Sequence, residues 1–400
     1  MVKKWLSIVG IGEAGLSGIS TIARLLIDQA EILVGGSRHL AMLPNDSRQR
    51  MVWRSPIHDS IRDILDRRGQ SVCVLASGDP MWYGIGATLL RDIPIEEITI
   101  VPAPSTFSLC CARLGWSLSE IETISLCGRR PELLKTYLYP GARLLILSAG
   151  KETPLIVADL LTQRGFGKSS IAVLERLGGA HERIISGTAS TWDQMDLADL
   201  NAIAVECVAD PGVTVFSRVS GLPDDAYHHD GQLTKREVRS ITLSALAPTP
   251  GALLWDVGAG CGSIGIEWMR SDSRCRAIAI EKSRTQYIID NANALGTPNL
   301  EIIEGKAPEA LQGLPQPDAI FIGGGATING LIETCWMALK SGGRLVANVV
   351  TIEGERLLWN WHDRIGGDLT RIEVQRVGSI GKFSSWKPML PVTQWVVVKP

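Results

Sequence analysis

Short apolar runs alternate with stretches of helical periodicity along almost the whole chain. In the first half, strands are predicted at 6–9, 32–34, 72–76, 98–101, 144–148, 171–174 and 202–208. In the second half, strands are predicted at 253–257, 276–280, 300–304, 319–322 and 344–349, with a late pair near 369–379 and 393–398. Strands that alternate with helices are typical of α/β architecture with mainly parallel sheets.

The alternation lapses over 211–222, where turn-forming residues replace the periodic pattern. We therefore predict a first domain over 1–212, a linker over 213–221 and a second domain over 222–400. The length of 400 residues fits two such domains better than a single core.

Composition and charge indicate a globular protein and disfavour several kinds of partner. The chain is 45% hydrophobic and 20% charged, which is typical of a globular protein. Forty Lys and Arg against 42 Asp and Glu leave a net charge of -2, so neither nucleic acid nor an anionic membrane is the expected partner. No apolar run reaches the roughly 18 residues of a membrane span, and the apolar start ends in a glycine loop rather than an export signal.

The eight cysteines carry no metal-binding spacing. They lie at 73, 110, 111, 127, 207, 261, 275 and 335, without a Cys-x-x-Cys pair. Their apolar surroundings predict buried, reduced thiols of a cytoplasmic protein, with no structural metal and no disulfide framework.

A glycine loop in the second half carries the sharpest sign of ligand binding. The strand at 253–257 runs into Gly-Ala-Gly-Cys-Gly at 258–262 and then into a helical pattern. Glycines let a ligand approach the backbone, and amides at the start of the helix point at its polar end. The third glycine comes one residue earlier than in a dinucleotide loop, and Asp256 precedes the first. The loop resembles that of the Rossmann-like S-adenosylmethionine methyltransferases.

The next three strand ends complete a nucleoside site. The strand at 276–280 is followed by Glu281, a carboxylate able to accept hydrogen bonds from both hydroxyls of an unphosphorylated ribose. The segment 304–308 suits an adenine pocket, and the bare backbone of 323–325 leaves room for a substrate. Four strand ends in this order favour a binding site over a set of tight turns.

In the first half, the loop at 10–15 matches the dinucleotide pattern, but the next strand ends without an acid, so NAD is disfavoured. Gly-Asp-Pro at 78–80 and Pro-Ala-Pro-Ser-Thr at 102–106 follow two further strands. Together they resemble the tetrapyrrole methylase family. The resemblance implies a two-lobed α/β fold, with lobes at about 1–104 and 105–212, that binds S-adenosylmethionine in the cleft between the lobes.

The second half resembles the decarboxylating methyltransferase domains of cobalamin biosynthesis. The resemblance is carried by 221–239, 254–260, 266–268, 321–325 and 342–348. It implies a Rossmann-like methyltransferase fold after the two-lobed fold. The two resemblances together imply methylation of precorrin-6B at C5 by the first domain and at C15 by the second, with loss of carbon dioxide from the acetate on C12.

The resemblance also implies cofactor contacts, with one S-adenosylmethionine in each domain. In the second domain they fall on Thr234, Gly258, Ala259, Gly260, Cys261, Gly262, Glu281 and Ala307. In the first domain they fall on Gly78, Asp79, Pro80, Ser105 and Thr106.

Methyl transfer from a sulfonium to an electron-rich carbon needs alignment and a dry pocket more than a strong base. The lack of a nucleophile or paired-carboxylate motif agrees with that chemistry. Decarboxylation needs an electron sink, which a conjugated ring supplies, and an acid to protonate the methylene. His228, His229 and Asp230 are candidates because they lie near Thr234, although Asp230 before Gly231 also suits a simple turn.

A flat ring with several carboxylates calls for cationic anchors and aromatic walls. The candidates that touch substrate are Lys235, Arg236, Arg239, Arg129 and Arg130, with Gly323 and Gly324 beside the reacting carbon. A solvated basic helix face is the competing interpretation. Trp255 and Trp268 lie within a predicted strand and a predicted helix, so we expect both in the core.

Three other functions stay open on sequence alone. An RNA or translation-factor methyltransferase uses the same folds but is disfavoured by the near-neutral charge. The first domain could instead be a module that only holds ligand, and an NAD oxidoreductase is the weakest alternative. The expected partners are a small-molecule corrinoid and a second copy of the chain, with no nucleic acid and no membrane.

Overall fold

The computed structural model describes residues 4–400. Its contacts divide them into two compact units. Unit 1 comprises the chain up to Pro131 and Tyr137–Val213, and unit 2 comprises Glu132–Thr136 and Thr214–Pro400. Within the described residues, no helix is long and apolar enough to cross a membrane.

Unit 1 begins with a five-stranded parallel sheet in the order β3-β2-β4-β1-β5. Its strands are β1 (Leu6–Ile11), β2 (Ile32–Gly35), β3 (Gln49–Val52), β4 (Val72–Ser77) and β5 (Ile98–Val101). Its helices are α1 (Thr21–Asp28), α2 (Ser37–Ala41), α3 (Ile57–Leu65) and α4 (Ile85–Leu89). Ile8 of β1 and Val74 of β4 are fully buried, as expected for a parallel sheet covered on both faces.

A second five-stranded sheet completes unit 1, in the order β6-β7-β10-β8-β9. Its strands are β6 (Glu122–Ser125), β7 (Arg143–Leu147), β8 (Ser170–Glu175), β9 (Arg183–Thr188) and β10 (Asn201–Glu206), with helices α5 (Thr106–Leu114) and α6 (Thr153–Gln163). Only β6 and β7 pair in parallel, and β10 is antiparallel to both β7 and β8. The prediction of mainly parallel sheets is wrong here, because apolar runs alone do not reveal strand direction.

Unit 2 is built on a seven-stranded sheet in the order β13-β12-β11-β14-β15-β19-β16. Its strands are β11 (Leu253–Val257), β12 (Arg276–Glu281), β13 (Glu301–Glu304), β14 (Ala319–Ile322), β15 (Arg344–Val349), β16 (Asp368–Ile372) and β19 (Val392–Val398). Its helices are α7 (Arg236–Leu246), α8 (Ser263–Ser271), α9 (Thr285–Leu295), α10 (Leu331–Ala338) and α11 (Ile352–Ile365). The strands β11 to β15 are parallel, and β19 is antiparallel to both β15 and β16.

Two further strands of unit 2 form a separate ribbon. The single late strand expected at 369–379 is in fact two, β16 and β17 (Gln375–Ile380), and β17 pairs with β18 (Phe383–Pro388), which the apolar pattern did not indicate. Val377 lies opposite Trp386, and Ile380 lies opposite Phe383. All four side chains are more than 60% exposed.

The remaining helical turns are short 3-10 segments. They are Gly15–Gly18, Ile95–Glu97, Leu118–Glu120, Pro131–Tyr137, Ala189–Thr191, Asp224–Ala226 and Glu309–Leu311.

Burial tests the expectations about the core. Trp255 of β11 and Trp268 of α8 are both buried, so that prediction is confirmed. Seven of the eight free cysteines are buried, but Cys127 is exposed, so the prediction is wrong for that thiol. Cys127 follows β6 in the turn that leads out of the sheet, where the chain reaches the surface.

A buried carboxylate, Glu267 of α8, fastens the entry segment of unit 2 to the sheet layer. It accepts hydrogen bonds from the backbone N–H groups of Gly221 (2.6 Å) and Leu222 (3.1 Å) and from the Tyr227 hydroxyl (2.8 Å). Arg239 of α7, which is 0% exposed, donates its Nε to the same carboxylate at 2.6 Å. Removing a buried charge with this many partners costs much folding free energy, because its partners stay buried without a hydrogen-bond acceptor.

We predict that Glu267→Gln lowers the free energy of unfolding of unit 2 by about 2–4 kcal/mol, since a neutral amide removes the nearer of the two carboxylates that pair with the buried Arg239 and leaves only Asp224 at 3.3 Å. Urea unfolding followed by hydrogen exchange in peptides from 214–400 measures the loss. Glu333→Gln is the matched control, because Glu333 is exposed and 3.8 Å from Arg364, and it should cost less than about 0.5 kcal/mol. Equal losses in the two variants would contradict this role for Glu267.

Candidate cofactor and substrate sites

The glycine loop of unit 2 joins β11 to α8 in a conformation that side chains resist. Gly258, Gly260 and Gly262 have φ of 71°, 60° and 82°, all in the left-handed region. A Cβ on Gly258 would lie 2.9 Å from the backbone N and O of Gly324, in the loop after β14. Glycine is therefore required where these two loops touch, and the contact shapes the crevice at the carboxyl edge of the sheet.

Glu281 lies at the end of β12, directly beside this loop. Its Oε2 accepts a hydrogen bond from the Gly260 N–H at 2.9 Å, and its Oε1 accepts one from the Ser283 N–H at 3.2 Å. The side chain is buried. Each carboxylate oxygen has a second acceptor position, so the group can hold the loop and still accept ribose hydroxyls.

Asp256, the acid before the loop, is buried within β11. Its Oδ2 accepts a hydrogen bond from the Gly265 N–H at 2.9 Å, while Oδ1 has no partner among the described residues. Burial, reinforced by the nearby charge of Glu281, raises the pKa of Asp256 to about 7. An unsatisfied buried acceptor beside the glycine loop fits a cationic ligand, which would lower that pKa.

Asn291 of α9 brings the segment 228–234 to the same edge. Its Oδ1 accepts from the His228 N–H at 2.8 Å, and its Nδ2 donates to the carbonyls of His228 (2.9 Å) and Cys261 (3.0 Å). The Gln232 carbonyl in turn lies 3.3 Å from where a Gly260 Cβ would be. The segment predicted to carry the proton donor therefore lies over the glycine loop.

The three proton-donor candidates differ in their surroundings. Asp230 pairs with Arg284 at 2.8 Å and accepts a hydrogen bond from the Gln232 N–H. The Arg284 hydrogen bond lowers the pKa of Asp230, so it stays ionised and is unsuited to donate a proton. His229 uses Nδ1 to accept from the Gly231 N–H, whereas the His228 ring is exposed.

The other predicted contact residues of unit 2 differ in their distance from the glycine loop. Gly324 backs the glycine loop, as described above, and Gly323 precedes it in the same turn. Thr234 is half-buried and its carbonyl accepts from Arg239, while Ala307 packs on the core below β11. Lys235 is the residue before α7 and makes no side-chain capping hydrogen bond, and the exposed Arg236 is the first residue of the helix.

Arg239 does not meet the prediction that it anchors substrate. Its guanidinium is fully buried and donates to Glu267, Asp224 and the carbonyls of Thr234 and Leu222. Every nitrogen is engaged inside the protein, so Arg239 positions the segment that leads to the glycine loop.

Unit 1 holds a cavity of about 430 Å³ at the carboxyl ends of β1 and β4, within the size range of small-molecule sites. Both sheets contribute to its walls. Gly12 lines it, and a Cβ there would meet no protein atom, so the free space lies on the cavity side. Gly10 is required for a different reason: a Cβ would overlap the Gly78 carbonyl and the Ala103 N–H.

Four of the five predicted contacts of unit 1 line this cavity: Gly78, Asp79, Ser105 and Thr106. The Ser105 hydroxyl also caps α5 by accepting from the Ser108 N–H at 3.1 Å. Pro80 is the exception. It is buried, and its carbonyl accepts a hydrogen bond from the Gly86 N–H at 2.9 Å, so its contact with the cofactor stays a prediction.

A polar cluster that the sequence did not reveal lines part of the cavity. Arg38 pairs with Glu13 and donates to Ser77 Oγ at 3.2 Å, and its Nη2 lies 2.9 Å from His39 Nε2. Burial, followed by the charge of Arg38, lowers the pKa of His39 to about 4. His39 is therefore neutral and accepts through Nε2, and its buried Nδ1 has no partner within residues 4–400.

An aromatic cluster also lines the cavity. Trp82, Tyr83 and Phe107 pack edge to face with ring centroids 6.2–6.4 Å apart. Arg129, one of the predicted substrate anchors, lies over the Tyr83 ring at 5.0 Å. Arg129 itself does not line the cavity, but Arg38 and Arg176 do, so cationic and aromatic side chains share its wall, as a flat polycarboxylate requires.

Comparison with known proteins assigns both units to families. Residues 6–193 match the model of the tetrapyrrole (corrin/porphyrin) methylases, and residues 225–399 match that of the precorrin methyltransferase domain. A precorrin-6Y C(5,15)-methyltransferase [decarboxylating] from Sinorhizobium sp is 48% identical over 398 residues, 99% of this chain and 96% of its own length. The chain belongs to the precorrin-6Y C5,15-methyltransferase (decarboxylating) family.

Two relatives carry a single activity in their names. A cobalt-precorrin-7 C(5)-methyltransferase from Salmonella typhimurium is 32% identical, over 45% of this chain and 88% of its own length. A probable cobalt-precorrin-6B C(15)-methyltransferase (decarboxylating) from Pyrobaculum calidifontis is also 32% identical, over 46% of this chain and 94% of its own length. Methyltransferases of this family use S-adenosylmethionine.

The family assignment confirms the recognition, the fold class and the enzyme class inferred from the sequence. It does not favour the alternative of an RNA or translation-factor methyltransferase. The residues that sequence reasoning missed act through distant partners. Asn291 and Glu267 bridge segments 30 to 63 positions apart in the chain, and no local pattern marks them.

Proposed function

We propose that this chain transfers two methyl groups from S-adenosylmethionine to precorrin-6B, at C5 in unit 1 and at C15 in unit 2, and removes carbon dioxide from the C12 acetate in unit 2. The observation that carries the proposal is that each unit has its own glycine-built crevice at the carboxyl edge of a parallel sheet. Relatives named for a single methylation match less than half of the chain, which supports one activity per unit.

In unit 2, the residues around the glycine loop hold and orient the methyl donor. Glu281 accepts the ribose hydroxyls, and the unpartnered Oδ1 of Asp256 favours the cationic end. The half-buried segment around Thr234 covers the loop and excludes water, which supports transfer of a methyl group in line. No base is needed before the methyl moves, because the ring carbon is already electron-rich.

Protonation after decarboxylation falls to the histidines of the covering segment. His228 is the better candidate, because its backbone is fixed by Asn291 while its ring is exposed. His229 is the second candidate, with Nδ1 engaged by Gly231 and Nε2 available. Substrate carboxylates are proposed to lie near Lys235 and Arg236 at the start of α7.

In unit 1, the cavity takes the second methyl donor along Gly78, Asp79, Ser105 and Thr106. The neutral His39 and the Arg38–Glu13 pair replace the acid found in unit 2. In this unit the methyl donor is therefore bound mainly through backbone groups and through contacts with the cavity walls.

The product distinguishes the two sites. With precorrin-6B and labelled S-adenosylmethionine, we predict a product that has gained two methyl groups and lost one carbon dioxide, measured by mass spectrometry. Glu281→Gln should raise the KM for S-adenosylmethionine at C15 about 10- to 100-fold, because a charge-assisted hydrogen bond is lost, and leave C5 methylation unchanged. Glu301→Gln is the control, since that exposed carboxylate lies at the first residue of β13, the end of the strand away from the crevice.

A product that gains one methyl group would instead favour a first unit that only holds ligand. Equal loss of both methylations in Glu281→Gln would contradict the assignment of one donor site to each unit.

We further propose that the chain works as a homo-oligomer in the cytoplasm. Free cysteines support a reducing compartment. The ribbon β17–β18 supports assembly, because a lone two-stranded ribbon with apolar side chains on both faces gains stability when a second copy covers it. Its base is fixed to unit 2 by ion pairs from Arg376 to Asp224 and Glu237.

We predict that the double variant Phe383→Ser/Trp386→Ser is a monomer by light scattering after gel filtration, whereas the unaltered chain is a dimer or larger. The loss of apolar area that a partner would cover is the physical reason. Met337→Ser, which removes a similarly exposed apolar side chain from α10, should leave the oligomer intact. A monomeric unaltered chain would contradict the proposal.

A further inference from the structure

Three residues other than glycine have a positive φ in the described chain: Tyr83 (53°), Arg176 (48°) and Ala247 (50°). Ala247 ends α7 in a left-handed cap, a common way for a helix to stop. Tyr83 and Arg176 end no helix. Strain of this kind persists where surrounding structure enforces it, and such residues cluster at functional sites.

Tyr83 and Arg176 line the same cavity of unit 1. Tyr83 lies in the loop after β4 of the first sheet, and Arg176 directly follows β8 of the second sheet. The two strained residues outside helix ends therefore face one ligand-sized space from opposite sheets. Packing alone gives no reason for this coincidence, because both side chains are exposed.

The guanidinium of Arg176 lies near the carboxylate of Glu175 but is not bonded to it. Within residues 4–400 it makes no hydrogen bond and no ion pair to another side chain. The adjacent carboxylate, Glu175, is already engaged by Arg183 Nε at 2.7 Å and by the Ala198 N–H at 2.6 Å. Arg38, the other arginine of the cavity, is paired with Glu13. Arg176 is therefore the arginine in the cavity wall that is available to an anion.

The ring of Tyr83 is a fixed aromatic surface. Its hydroxyl donates to the Thr123 carbonyl at 3.3 Å, and Arg129 lies over the ring at 5.0 Å. Trp82 and Phe107 meet it edge to face. The side chain nevertheless remains 47% exposed, so a flat ligand can pack on it.

We propose that Arg176 and Tyr83 seat the corrinoid in unit 1: Arg176 binds a peripheral carboxylate, and Tyr83 packs against the macrocycle. The inference rests on the proposed C5 methylation by this unit. Both residues keep an unfavourable backbone conformation because that conformation aims their side chains into the cavity. They are positioning residues, so the methyl donor binds without them.

Arg176→Gly tests the proposal most sharply, because glycine relieves the strain while it removes the anchor. We expect the thermal midpoint of unit 1 to rise and the KM for precorrin-6B at C5 to increase about tenfold or more, the loss expected for a charge-assisted contact. Binding of S-adenosylmethionine and C15 methylation on the same chain should not change. Arg176→Lys should recover part of the KM, and Tyr83→Gly should raise the same KM, although the lost ring contacts with Trp82 and Phe107 keep its thermal midpoint from rising.

Arg24→Gln is the matched control, because Arg24 pairs with Asp28 on α1 and does not line the cavity. Arg176→Gln keeps the test valid if the glycine variant fails to fold. An unchanged KM at C5 in Arg176→Gln, or a loss of S-adenosylmethionine binding in step with stability, would overturn the proposal. Absence of C5 methylation in the unaltered chain would instead refute the proposed function of unit 1.

Discussion

The close approach of two loop backbones at the carboxyl edge of a parallel sheet is the constraint on which both sites depend. In unit 2, Gly258 touches the backbone of Gly324; in unit 1, Gly10 touches the backbone of Gly78. A Cβ at either position would force the two loops apart. Neighbouring parallel strands then end in a crevice rather than in two separated loops, and a crevice at the carboxyl edge of a parallel sheet is a common place for ligands to bind.

The two units complete this shared geometry with different side chains. Unit 2 places an acid, Glu281, at the end of the second strand, where it also holds the glycine loop through Gly260. Unit 1 has a neutral His39 after its second strand, beside the Arg38–Glu13 pair. Under the proposed function, one chain holds the same methyl donor in two environments, and aromatic and cationic side chains orient the large ring.

Methyl transfer depends mainly on how the donor and the acceptor carbon are placed. The buried polar groups of unit 2 accordingly hold the segments around the glycine loop in place. Glu267 and Arg239 fix the entry segment of unit 2, and Asn291 ties that segment to the glycine loop. None of these three groups need touch a substrate. Their pairing is complete inside the protein, which explains why a charged residue in a basic helix, Arg239, is unavailable as an anchor.

The sequence predicted those features that depend on residues close together in the chain. The glycine loops, the strands that lead into them and Glu281 follow from neighbouring residues, and the structure has the strands β5, β11, β14 and β15 at the predicted bounds. Strands β9 and β18 were not predicted, because their residues are mostly exposed and form no apolar run. The sequence also did not indicate Asn291, Arg38 and Arg176, because their contacts form only when distant segments of the chain meet. The burial of Pro80 likewise depends on how its loop folds.

The central claim is that each chain binds one S-adenosylmethionine at each of two sheet edges, and calorimetric titration of the full chain measures it most directly. The account predicts a stoichiometry of two per chain, with Glu281→Gln weakening one site and leaving the other unchanged. A stoichiometry of one in the unaltered chain, or a Glu281→Gln variant that binds two equivalents with unchanged affinity, would contradict it.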